Sequence, residues 1–212
     1  MKGLLWKDFY MAMKYCRMNM LLIFIFAAGA VFSDNLFLLF YPIMMAGVVP
    51  ISLISYDEKS KWNVYAGVFP YSKEELVSVK YIIALLFLAF GTLVIGIAML
   101  VKMGLSGNYD WRSYGMLMIV MPSAGLVSPC ILLPSVFRLG VEKGRVIYYA
   151  VLILVASLFG ILGFMEENAG IAAAGNLSIT GIGAVLVLLL FDAVILAGSW
   201  ILAVRIYNRK EI

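Results

Sequence analysis

Three groups of residues in this chain have types and spacings that chemistry can use. Asp192 is a lone carboxylate near the middle of the apolar run Gly181 to Val204. An ionisable group at that depth is a candidate proton or cation site. The alternative is a buried hydrogen-bonding partner for another helix, which the small Ala193 and Ala197 beside it would let approach closely. Trp62, Tyr65 and Phe69 stand at i, i+3 and i+7 in the otherwise polar segment Asp57 to Lys80, placing three aromatic rings on one face of a short helix. Such a face fits a groove on a partner protein or rests among lipid headgroups, where Trp and Tyr are enriched; spacing alone does not choose. Five of the six prolines, Pro42, Pro50, Pro122, Pro129 and Pro134, fall inside apolar runs. Each frees a backbone carbonyl and is expected to kink or unwind its helix. Irregular backbone in lipid is tolerated where it is buried or lines a cavity, so these two segments are candidates to flank a translocation path.

What is missing narrows the chemistry further. Histidine is absent, which removes the commonest general base, the usual zinc ligand and every Ser-His or Cys-His nucleophile. Cys16 and Cys130 have neither metal-ligand spacing nor a plausible disulfide partner and are read as packing residues. No paired carboxylates are available for general acid–base work. Nothing matches G-x-x-x-x-G-K-[ST], so any ATP must be hydrolysed on another chain.

The elements that position these residues follow from the solvent they face. Of 212 residues, 64% are hydrophobic and 13% charged, and the mean hydropathy is +1.02. Soluble domains carry roughly twice that share of charge, so the surroundings must be lipid. At about 20 residues per helix the length admits one membrane domain of about six spans. Charge-free runs place them at 18–32, 36–56, 81–101, 115–137, 146–165 and 181–204, with Ser33-Asp34-Asn35 as a tight turn between the first two. The first is short and reaches across only if Lys14 and Arg17 snorkel or the bilayer thins. Asp192 costs its span about 2.5–3.5 kcal/mol, which fourteen Leu, Ile, Val and Phe side chains offset with about 4–8 kcal/mol.

Six spans put both termini on one side, and fourteen Lys and Arg share that side against Lys102 and Arg112 on the other. That asymmetry makes the termini cytoplasmic and accounts for the formal charge of +4 as orientation, so no nucleic acid is expected as a partner. Ahead of the first span, Lys7, Tyr10, Lys14 and Arg17 form one helical stripe with Leu4, Met11 and Tyr15 opposite, which predicts an interfacial helix over 1–17; Asp8 falls off the basic stripe. The small residues Ala28-Gly29-Ala30 also fit a leader cleavage site, but 17 residues are long for a leader's basic region, and the segment is read as retained. In the loop 57–80, Pro70 ends any preceding helix, and Ser72 with Glu75 forms a capping box that predicts a new helix from Lys73. The second basic loop, Arg138 to Arg145, is read as a topology loop.

The segments MKGLLWKDFY, SYDEKSKWNVYAGVFPYSKEELVSVKYI, LLPSVFRLGVEKGR and IYNRKEI together resemble the small six-helix permease subunits of bacterial ABC-2 type transporters, including those similar to the phenol-soluble modulin exporter. The resemblance implies an all-α membrane domain over 18–212, an N-terminal elbow helix over 1–17, and a first loop that enters a cytoplasmic ATPase as a coupling helix. Carried over by position, the coupling set is Asp57, Glu58, Lys61, Trp62, Tyr65 and Phe69. It implies two ATPase subunits, which would bind the ATP and magnesium, beside a second copy of this chain or a related permease in a bacterial plasma membrane. It further implies no catalysis on this chain and an exported substrate, amphipathic or antimicrobial peptides above lipids and drugs. The alternative is an ion-coupled secondary transporter using Asp192.

Overall fold

A computed structural model describes residues 2–33, 36–62, 65, 71–107, 109, 111–147, 149–150, 153 and 182–209. The described residues are helical, with turns between. They form α1 (Lys2–Tyr15), α2 (Arg17–Phe32), α3 (Leu36–Lys59), α4 (Lys73–Ser106), α5 (Trp111–Leu139) and α6 (Ile182–Asn208). The segment 66–70 with Phe69, most of the expected fifth span 146–165 and the segment 166–180 lie outside the described residues.

Among the described residues, four helices are long and apolar enough to cross a membrane: Leu38–Lys59, Lys73–Ser106, Tyr114–Leu139 and Val185–Asn208. The pair α1 and α2 passes the same test only when taken together, and is bent by 66° at its junction. The bend sits at Cys16, a buried residue whose backbone lies outside the helical region.

Helix α3 is the inner helix, packed against α2, α4 and α5. Three apolar clusters stack along it. Ile43, Leu88, Ile95 and Met121 fill the end near Ser33; Leu4, Ile23, Val49, Leu53 and Ile83 hold α1 and α2 to α3 and α4; Ile54, Val77, Leu132, Val136 and Tyr207 join α3 to α6 at the basic end. Met121 is fully buried core. At the opposite end Lys102 Nζ donates to the Ser33 carbonyl at 2.6 Å, tying α4 to the turn after α2.

All five prolines lie within helices α3 and α5. One freed carbonyl has an identifiable replacement donor. Pro134 cannot donate to Cys130 O four residues earlier, and Ser199 Oγ on α6 donates to that oxygen at 2.7 Å instead. With the serine proton spent there, Tyr81 on α4 donates its hydroxyl to Ser199 Oγ, also at 2.7 Å. The two proline-bearing helices also touch closely. A Cβ on Gly47 would stand 2.9 Å from Ser128 Cβ and 3.2 Å from the Gly125 carbonyl, so only glycine fits the crossing as it stands.

Candidate functional site

The loop that sequence reading singles out is rooted between two helix ends. Helix α3 does not stop at 56 as expected; Asp57, Glu58 and Lys59 form its last turn. Lys61 then takes a left-handed backbone, φ 54°, and its amide donates to Glu58 O at 3.1 Å, closing the helix end. On the far side, Ser72 and Glu75 make the reciprocal capping box, and α4 starts at Lys73 as the sequence requires.

The roots are joined by four charged side chains from three helices. Lys80 Nζ donates to Asp8 Oδ2 and to Asp57 Oδ2, each at 2.6 Å. Lys7 Nζ donates to Asp57 Oδ1 at 2.6 Å and lies 3.3 Å from Asp8 Oδ1. Asp8, Asp57 and Lys80 are 2%, 4% and 8% exposed, which takes them out of reach of any partner's surface. Two ammonium groups balance two carboxylates, so the cluster is neutral, and burial is tolerable only because each charge is paired. A cavity of about 90 Å³ lies against it, bounded also by Glu58, Trp62 and Tyr207.

Several expectations change here. Asp57 belongs to this internal cluster rather than to an exposed coupling face. Lys7 and Lys80, counted as orientation charges, are also its cations. Asp8, which spoiled the basic stripe, does so because it turns inward. Trp62 and Tyr65 do not share one exposed face. Trp62 is half-buried against α1 with Lys7 Nζ 4.1 Å from its ring centre, while Tyr65 is 61% exposed. Glu58 and Lys61 are exposed beside it. The second loop comes to the same place: Gly140, with φ 84°, turns α5 into a further helical stretch, and a Cβ there would lie 3.9 Å from Glu58 Oε1.

Asp192 stands apart, in a groove of about 270 Å³ between α5 and α6 walled by Val127, Leu188, Phe191 and Ile195. Its Oδ2 is buried and has no hydrogen-bond partner among the described residues, so this oxygen does not make the expected helix–helix bond. Ala193 and Ala197 are exposed and do not bring another described helix close. Among the described residues no three Cys, Asp or Glu side chains gather as metal ligands.

No curated protein and no solved structure matches the chain. Residues 3–208 match the family model described as ABC-2 family transporter protein. With nearly its whole length covered, the chain belongs to the ABC-2 transporter membrane family and is an ABC permease subunit that works with a separate ABC ATPase.

Proposed function

We propose that this permease is the membrane subunit of an ATP-driven exporter, with Glu58, Lys61, Tyr65 and Phe69 as its contact to the ATPase and both termini on the cytoplasmic side. The observation that carries the reading is the exposed Tyr65, on a segment whose two roots are clamped together by buried ion pairs. A large side chain on a fixed base loses little conformational freedom when a partner covers it, which favours a docking knob over a headgroup anchor. Asp57 and Trp62 then act from within, holding the base. Two such permeases, alike or related, would pair with two ATPase subunits that bind ATP and magnesium. Closure of those subunits would shift the permease between inward and outward states as far as the two states differ in their contacts with the ATPase.

Amphipathic or antimicrobial peptides are the proposed cargo, with other hydrophobic compounds behind them. Everted membrane vesicles given a fluorescent amphipathic peptide in the surrounding medium test both direction and energy source. Accumulation that needs ATP and is lost with Lys61→Ala, Tyr65→Ala supports the proposal. Asp192 Oδ2, without a hydrogen-bond partner among the described residues, favours a second reading, ion-coupled transport. Accumulation driven by an imposed proton gradient without ATP, and abolished by Asp192→Asn, would establish that reading instead.

A further inference from the structure

The bend between α1 and α2 leaves a notch that the transport reading does not use. It has a volume of about 640 Å³ and is lined by Tyr10, Met13, Lys14, Arg17, Met20, Leu21 and Phe24. These residues follow one another at steps of three or one, so they form a single stripe that crosses the 66° bend. Every one of them is exposed except the half-buried Met20.

Charge and polarity divide along the stripe. Lys14 and Arg17 flank the bend, one on each helix. Neither makes an ion pair among the described residues, and Lys14 has only the ring of Tyr15 near it, at 5.4 Å. The one carboxylate on α1 and α2 is Asp8, which is turned away into the buried cluster with Lys80. Two cations therefore face the notch with no acid on either helix to neutralise them. Below them, Met20, Leu21 and Phe24 continue down the membrane-spanning arm as an apolar wall, and Phe24 is braced edge-on by Phe90 of α4 at 6.0 Å between ring centres.

We propose that this notch binds the phosphodiester headgroup of an anionic phospholipid. Lys14 and Arg17 hold the phosphate between them, Arg17 through its forked donors. Tyr10 supplies a hydroxyl at the rim, and the first part of an acyl chain lies on Met20, Leu21 and Phe24. A free phosphate ion would satisfy the cations but leave the apolar wall bare, which is why the assigned occupant is a lipid. Bound there, the lipid braces the angle at which α1 leaves the membrane arm.

The test is native mass spectrometry of the purified full-length chain in micelles containing equal amounts of phosphatidylglycerol and phosphatidylcholine. The wild type should retain phosphatidylglycerol preferentially. The double variant Lys14→Gln, Arg17→Gln should lose that preference by roughly thirtyfold, two charges at about fivefold each. Exchanging the two, Lys14→Arg with Arg17→Lys, should keep most of it, which separates loss of the site from loss of the fold. Lys2→Gln with Lys59→Gln removes the same net charge from exposed positions elsewhere and should leave the preference unchanged. Equal retention in the notch variant and the wild type, or an equal drop in the Lys2, Lys59 control, would overturn the proposal. Displacement of the lipid by millimolar inorganic phosphate would show an ion site rather than a lipid site.

Discussion

Lys80 is the side chain on which the root of the first loop depends most, because it alone bonds both aspartates. Replacing it with methionine keeps the apolar stem and removes two charge-assisted bonds of 2.6 Å. Asp57 keeps its 2.6 Å bond from Lys7, while Asp8, 2% exposed, is left with only the 3.3 Å approach of the same ammonium. One cation then serves two buried carboxylates. Breaking a buried pair by removing one partner costs about 3–5 kcal/mol, most of it from the charge left behind. The double variant Lys80→Met, Asp8→Leu removes one charge of each sign and leaves the Lys7–Asp57 pair intact. Apolar replacement of a whole buried pair is often neutral, so the double variant should fall within about 1–2 kcal/mol of the wild type. Denaturation of the purified chain in mixed micelles gives each free energy, and Lys59→Met, at an exposed position, should move it by less than about 0.5 kcal/mol. A cost under about 1 kcal/mol for Lys80→Met, or a double variant that costs the sum of its single changes, would show that the buried charges are not coupled in this way.

Ser199→Ala should destabilise by about 1–3 kcal/mol, because it orphans both the Cys130 carbonyl and the Tyr81 hydroxyl; the same denaturation assay measures it, and Tyr81→Phe in the same background should add little more. Gly47→Val should cost about 1–3 kcal/mol by forcing α3 from α5 at their crossing, where the nearest obstacle includes backbone, whereas Gly104→Ala, with nothing within 4 Å, should be neutral or slightly stabilising. Cys16 is 3% exposed and burial pushes its thiol above the usual range, so a membrane-permeant maleimide should leave it unlabelled in the folded chain and modify it once the fold is lost.

Local rules made some of this visible in advance. The capping box at Ser72 and Glu75 involves only neighbours three residues apart, and it placed the start of α4 correctly. The break between an amphipathic α1 and an apolar α2 was legible from where basic residues give way to apolar ones. The ion cluster was not, because its pairs join residues 72, 50 and 23 positions apart. A lysine counted for orientation and a lysine buried between two aspartates look alike in one sequence. The single hint was Asp8, an acid off the basic stripe of an otherwise basic helix, which periodicity marked as an imperfection and packing explains. The replacement donor at Pro134 was hidden for a related reason, because Ser199, which bonds the Cys130 carbonyl, lies on a helix 69 positions away.

Site-specific photo-crosslinking reads out whether the first loop meets the ATPase through Tyr65, as proposed. A photoreactive phenylalanine analogue at position 65 is expressed in the full-length chain in its native membrane, irradiated, and its adducts sequenced. The expected product is a cross-link to a protein carrying a nucleotide-binding P-loop, weakened when ATP is withheld and absent when the same analogue replaces buried Phe87. Adducts confined to lipid, or to other residues of this chain, would contradict it.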